Sequence, residues 1–333
     1  MEQLTGFIGD ILGHAVTRAM YPVAAGERIF ALYLVCALLL AYLAFRLRHQ
    51  ALAPGEAFRR FLAYCFPKKM YAHRSAKLDY VFFLVNGVLF PLFAAPLVMG
   101  GAMSALLVGN ILTHLLGAMA EPLTANWAVI LLFTAALAVA MDAGVFITHY
   151  LQHRVPLLWE FHKVHHSAEV LTPITAYRVH PVDDLFTGSV SGLLVGCVGG
   201  AFTYFYGDAL GFLSLAGLNV LVFAFYLMGY NLRHSHIWIA YPAWLSHVLI
   251  SPAQHQIHHS RQPEHYDRNL GFMFAFWDWT AGTLYVPAEP EALDFGIDTE
   301  DAAAFSSVAR LYLHPFARAA RLTTRRKGAS HAH

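Results

Sequence analysis

Histidine at repeated helical spacing is what most limits this chain. His149 and His153 stand four apart, His162, His165 and His166 follow, and the HxxHH spacing returns at His255, His258 and His259. On a helix, residues three or four apart share a face, so each group predicts a row of imidazoles pointing one way. Neutral imidazole is a good ligand for iron, zinc, copper and nickel, and these eight rings suffice for two ions. A single HxxxH often arises by chance, and a lone interior His is more often a satisfied core residue. Here, however, thirteen of the twenty histidines lie between His149 and His265, and HxxHH occurs twice among them. That density favours metal binding.

The surroundings of these clusters are apolar. Of 333 residues, 57% are hydrophobic and 13% charged, with a mean hydropathy of +0.48; soluble domains carry about 25% charged residues. The chain therefore reads as an integral membrane protein. A net charge of +1 suggests no nucleic-acid partner. Cys36, Cys65 and Cys197 are isolated, which argues against a disulfide framework and a thiolate zinc site. Residues 1–28 lack a basic start followed by an apolar core, so no cleavable signal peptide is expected; they suit an interfacial helix or a periplasmic lead-in.

Ile29–Phe45, Tyr80–Met99 and Trp127–Ile147 are expected spans, and Thr187–Phe205 with Leu210–Tyr230 an expected spanning hairpin. Residues 100–120, broken by Asn110 and His114, are compatible with spanning, re-entering or lying in the interface. Eight Lys or Arg between Arg46 and Lys77 place that loop in the cytoplasm. If 100–120 does not cross fully, the histidine clusters and a basic tail (Arg321, Arg325, Arg326, Lys327) share that side. The expected fold is all-α: an integral membrane helical protein with four to six spanning helices and a cytosolic histidine-rich helical cap holding a dimetal site. Residues 1–125 would be N-terminal membrane segments, 126–290 a catalytic domain and 291–333 a cytosolic C-terminal tail.

Glu160 and Glu169 flank the second cluster off its spacing, against carboxylate-rich di-iron bundles. HExxH and a Gly-rich dinucleotide fingerprint are absent. His180-Pro181-Val182-Asp183 gives no sign of a fused haem-binding domain, so reducing power is expected from a separate protein.

Taken together, HxxxH and two HxxHH blocks after apolar hairpins resemble the fatty acid hydroxylase/sterol desaturase superfamily. His162-Lys-Val-His-His-Ser-Ala-Glu169 with Arg178 and His180-Pro181, then Ser251–Ser260, then His265-Tyr-Asp267-Arg-Asn269-Leu-Gly271 with Trp277-Asp278 and Gly282–Tyr285, resemble its later blocks, over roughly residues 127–290. The resemblance implies an O2-dependent di-iron site that hydroxylates, desaturates or cleaves lipids. Its metal ligands would be His149, His153, His162, His165, His166, His234, His255, His258 and His259. His180 and His236 are implied less firmly, and an acidic residue at the place of His236 marks the branch that oxidises alkylglycerol ethers. Candidates to hold the free ring nitrogens are Asp142, Glu160, Asp183, Asp184, Asp267 and Asn269, the last two favoured by the closing block. Tyr177 and Trp277 could line a pocket, although plain packing is the commoner role of such residues.

The function expected is oxidation of a membrane lipid, most simply hydroxylation, with electrons from a ferredoxin or a cytochrome b5-like protein plus reductase. Desaturation would use the same site. A histidine-lined metal transporter is an alternative of another class, but transporter sites usually lie near the bilayer midplane, whereas these clusters follow helix ends. A zinc hydrolase is weaker, without a nucleophile elbow or a general-base glutamate. The location expected is a bacterial inner membrane with the site and C-terminus cytoplasmic.

Overall fold

The computed structural model describes residues 2–93, 100–298 and 303–330. The end of the expected span Tyr80–Met99 and the side chains of Arg325, Arg326 and Lys327 lie outside the described part. Chain order runs α1 (Glu2–Ala19), α2 (Ala31–Arg48), α3 (Pro54–Cys65), α4 (Lys68–Tyr71), α5 (Arg74–Phe93), α6 (Gly101–Leu116), α7 (Trp127–Arg154), α8 (Pro156–His166) and α9 (Pro181–Tyr206). A two-stranded hairpin, β1 (Ser214–Leu215) and β2 (Leu218–Asn219), precedes α10 (Val220–Leu227), α11 (Ala243–Ser246), α12 (Pro252–His258), α13 (Phe276–Ala281) and α14 (Val308–Ser330). Lipid offers backbone groups no partners, so apolar runs of this length satisfy themselves as helices. Among the described residues, α2, α5, α7 and α9 are long and apolar enough to cross a membrane. The protein is thus a helical integral membrane protein with a histidine-rich helical layer.

Two expectations change. The helix expected to stop at Ile147 continues to Arg154, so His149 and His153 ride on the spanning helix itself. Pro156 then ends it, since a proline cannot continue the helix but opens the next one well. The second arm of the expected hairpin, Leu210–Tyr230, is not a spanning helix. Ala216 and Gly217 adopt positive φ values of 49° and 81° in the turn of the strand pair, and Asn219 caps α10 by accepting from Leu221 N. Only eight residues then remain helical, about 12 Å of rise against a core of about 30 Å. The irregular backbone is served by its neighbour: Thr134 Oγ1 accepts from Leu213 N, and Thr134 O accepts from the Asn219 amide.

Helix α9 fixes the direction of α6. Gly101 lies beside Gly192 and Gly196, Ala105 beside Gly200, and Tyr204 donates to Gly117 O. The two helices therefore run the same way, away from the histidines. Helix α5 also starts on the histidine side, where Asp79 meets Arg178, and reaches the level of Gly188 by Pro91. Helix α6 thus carries the descent of α5 deeper instead of returning it, and α7 brings the chain back. The loop before α5 consequently shares a side with the histidines: Arg48 donates to Trp238 O and His236 Nε2 meets Tyr64 O.

Close helix contact depends on missing side chains. A Cβ on Gly196 would meet Ser104 Oγ and Gly101 O, and one on Gly200 would run into Ala105 backbone. Across the other face, a Cβ on Gly144 would strike Ser191. Small residues allow this approach in lipid. Arg178 joins the layers further up. Its buried guanidinium donates to Asp79 Oδ1 (2.8 Å), Val164 O (2.9 Å) and Ser167 Oγ (2.7 Å).

Overpacking costs about 1–3 kcal/mol per site. Gly196→Val is expected to lower thermal stability in detergent by several degrees, whereas Gly199→Val, with open space around it, should leave the melting temperature within about one degree. Equal loss in both would remove the close-packing account.

Candidate metal centre

The helical rows do not act as units. The structure gathers His149, His153, His162, His166 and His258 into one group and His165, His234, His255 and His259 into another, with candidate ligand atoms in each group within 4.8 Å of one another. Helix geometry explains the division. Residues four apart are displaced by about 40°, so 149/153, 162/166 and 255/259 stay together. The inserted residue of each HxxHH, His165 or His258, stands about 100° from the histidine that follows it and reaches the other group. The expected common face of His162, His165 and His166 is therefore corrected: α8 sits between two groups and feeds both.

In the first group the Nδ1 atoms are held from behind. His149 Nδ1 meets Leu270 O at 2.7 Å, and His258 Nδ1 meets Arg268 O at 3.0 Å. His162 Nδ1 lies 2.8 Å from Asp183 Oδ2, and His153 Nδ1 lies 3.3 Å from Asp267 Oδ1. Acceptors at Nδ1 keep the proton there and leave the Nε2 lone pair free. The Nε2 atoms of His153, His162, His166 and His258 are buried without a hydrogen-bond partner among the described residues. Such orphans cost free energy unless something binds them.

The second group is tighter. His234 Nε2 stands 3.3 Å from His165 Nε2, 3.1 Å from His259 Nε2 and 3.2 Å from His255 Nε2, and His255 and His259 are 3.2 Å apart. Nitrogens about 2.0–2.1 Å from one ion would be separated by about 2.9 Å at right angles and about 3.3 Å in a tetrahedron. The donor set and its spacing fit a metal ion. One member is less prepared. Arg233 Nη2 faces His255 Nδ1 at 3.2 Å; a guanidinium only donates, which favours the Nε2–H tautomer, the opposite of what ligation through Nε2 needs.

Burial, reinforced by neighbouring imidazoles or Arg233, holds His165, His166, His234, His255, His258 and His259 well below the ordinary imidazole pKa. The rings are accordingly neutral near pH 7, the form that binds metal.

His180 and His236 lie outside both groups. His180 caps α9, accepting from Val182 N, with Nε2 on Tyr312 O, and His236 Nε2 meets Tyr64 O. Asn269 touches no ring: its amide donates to Gln254 O and accepts from Tyr285 N, fixing the loop that presents Leu270 O and Arg268 O. Asp142 accepts from Met273 N, Phe274 N and Trp277 Nε1, so it anchors backbone and not an imidazole. Trp277, held there and stacked on Phe146, packs and lines no described cavity at the site. Glu160 pairs with Lys163 and Arg318. Sequence reasoning missed the two carbonyls, Arg233 and Asp278, whose carboxylate receives Leu270 N and Gly271 N at 2.7 Å each. Only Asp278 left a signal, inside the closing block.

Two spaces adjoin the rings. An outer cavity of about 370 Å³ is bordered by His153, His166, His258, Trp159 and Arg261. A smaller inner one of about 110 Å³, bordered by His149, His165 and His234, also touches Arg28, Asp184 and Thr187.

A helical membrane protein that crowds nine histidines into two adjoining groups defines a narrow class. Residues 134–283 match the fatty acid hydroxylase family, and this match with the relatives that follow supports the fatty acid hydroxylase/sterol desaturase superfamily. It is 28% identical to the ornithine lipid hydroxylase OlsE of Rhizobium tropici, over 55% of this chain and 50% of that protein. It is 27% identical to the very-long-chain aldehyde decarbonylase GL1-9 of Oryza sativa subsp. japonica (43% and 50% covered) and 26% identical to the alkylglycerol monooxygenase of Homo sapiens (47% and 31% covered). The chain spans about half the length, or less, of these relatives. No solved structure matches it.

Loss of a partner behind a metal-binding imidazole typically costs 10–100-fold in affinity. Asp183→Asn is expected to weaken metal retention by that factor, measured by competition with a chelator, while His236→Ala leaves it unchanged. Because of Arg233, His255→Ala should lose less metal than His259→Ala. Equal losses there would contradict the tautomer argument.

Proposed function

We propose that the chain is a membrane lipid oxygenase whose nine histidines hold two iron ions, His149, His153, His162, His166 and His258 around one and His165, His234, His255 and His259 around the other. When loaded, such a centre supplies O2 activation and oxidation of an unactivated C–H bond, with electrons from a separate carrier, a ferredoxin or a cytochrome b5-like protein plus reductase. The observation that carries the reading is the two sets of converging imidazole nitrogens, the first of them backed by Nδ1 acceptors. An all-imidazole set suits several metals; oxidation is favoured because two of the relatives are by name a hydroxylase and a monooxygenase.

The protein's own contribution is positioning and exclusion. Asp183, Asp267 and the carbonyls of Leu270 and Arg268 fix the rings before any ion arrives. Burial of most of the rings limits water at the centre to the two adjoining cavities, and a substrate filling them would protect a strong oxidant from side reactions. Asp267 also pairs with Arg154 at 3.2 Å, which holds its carboxylate against His153. Among second roles, Asp267 and Asn269 stabilise the loop in left-handed backbone, at φ 57° and 54°, a conformation their side chains tolerate best after glycine.

Hydroxylation is preferred over desaturation on the names of the relatives. Metal transport is disfavoured because the rings gather where α7 ends and α8 and α12 meet, not along a path between helix halves. We place the protein in a bacterial inner membrane with the site and C-terminus cytoplasmic, as supported by the basic residues of the segment between α2 and α5, which packs on the histidine side.

Purified wild-type protein is expected to carry about two iron ions per chain. His165→Ala and His258→Ala, one from each group, should each carry no more than about one and form no product. In a lipid-analysed host, a +16 Da shift in one lipid class supports hydroxylation and −2 Da desaturation. Identical lipid profiles for wild type and both variants would exclude metal-based oxidation.

A further inference from the structure

A cavity of about 400 Å³ lies between α1, α5 and α9, on the membrane side of the histidines. For a space at this depth its lining is unusually charged: Arg18, Glu27, Arg28 and Asp184, with Tyr21 and Tyr177. Arg28, Val179 and Asp184 border both this cavity and the inner space that touches His149, His165 and His234. The charges therefore stand at the doorway of the candidate metal centre.

Several of these groups are not used up by the fold. The Asp184 carboxylate has no hydrogen-bond or ion-pair partner among the described residues, and its half-buried side chain borders both spaces. Neither does any ion pair within 4 Å join Arg28 to Asp184 among those residues. Arg28 spends one nitrogen on Ala176 O at 2.6 Å and lies over the Tyr177 ring. Arg18 reaches the cavity across α5, over the rings of Tyr21 and Phe83, and passes so close to Gly87 that any Cβ there would strike its guanidinium. Its guanidinium bears on Tyr21 and on the charge of Glu27, while its buried Nε has no hydrogen-bond partner among the described residues. On the opposite face of α1, Leu12 and Val16 are exposed, as is Met20 just beyond its end, which suits a helix lying against lipid. An acyl chain would find nothing to satisfy such groups, and leaving charges unpaired at this depth is costly.

We propose that this cavity receives the headgroup of a zwitterionic lipid, with its oxyanion on Arg18 and Arg28 and its ammonium on Asp184, so that the carbon oxidised belongs to the headgroup or lies within a few bonds of it. The proposal rests on the oxygenase reading above and names its substrate class. A carbon far along an acyl chain would be held away from the histidines by the same charges that bind the head. In the reaction one atom of O2 enters the C–H bond to give C–OH. The other leaves as water, with two electrons from the one-electron carrier protein and two protons from solvent.

Binding tests this without turnover. Four short-chain probes would be titrated onto the iron-loaded full chain in detergent: an N-acyl amino-acid lipid with a free amine, a phosphatidylethanolamine, a phosphatidylglycerol and a diacylglycerol. At least one of the two zwitterionic probes is expected to bind ten-fold or more tightly than the anionic and neutral ones, and the better of the two identifies the oxyanion as carboxylate or phosphate. Asp184→Asn and Arg28→Gln should each erase that preference while retaining wild-type iron content, which shows that the fold survives, and Asp184→Glu should restore part of it. Equal affinity for all four probes, or a preference untouched in both variants, overturns the headgroup proposal whatever the activity. Failure of the oxygenase reading shows separately, as the absence of any +16 Da product from a probe that binds.

Discussion

Nine imidazoles crowd into two adjoining groups, and the rest of the molecule answers to that arrangement. Crowded rings can share a ligand only where protons are placed and lone pairs aimed. The structure does this by setting acceptors behind the rings, two carboxylates and two main-chain carbonyls in the first group. Those acceptors must themselves be held. Asp278 grips the amides next to Leu270 O, Asn269 ties the same loop to α12 and to Tyr285, and Asp142 pins the following residues to α7. Of the carboxylates that sequence reasoning sought beside the rings, Asp183 and Asp267 stand there, whereas Asp142 lies one step further out and shapes backbone.

The site was legible in the sequence to an uneven degree. HxxxH and HxxHH declare themselves because helix periodicity turns spacing into a shared direction. Their allotment to two groups needs the third dimension, since His165 and His258 leave their own rows. Main-chain carbonyls carry no sequence signal at all, so Leu270 O and Arg268 O could not be foreseen. Asp183 was visible only as one of several acids; its pairing with His162 depends on how α9 starts against α8.

The fold shows the same division. Long apolar helices are written in composition, and α2, α7 and α9 follow it. Residues 210–230 are equally apolar, yet a tight turn at Ala216 and Gly217 and a cap at Asn219 leave a short helix leaning on Thr134. Apolarity reports burial from water and not the form of the backbone that is buried. Residues 100–120 were ambiguous for a related reason: what settles α6 is its glycine seam with α9, a contact between segments nearly ninety residues apart.

Arg178 sits inside the part of the chain that matches its family, but the acid that neutralises it, Asp79, stands well before that part begins. What is recognisable by comparison and what is able to stand alone therefore differ in this protein. A fragment cut to the recognisable region would lose Asp79 and the α5 surface that covers Arg178, leaving the guanidinium without its counter-ion among the groups that remain. Heredity has drawn the outline in one place and electrostatics in another, and only the second is a safe line for scissors.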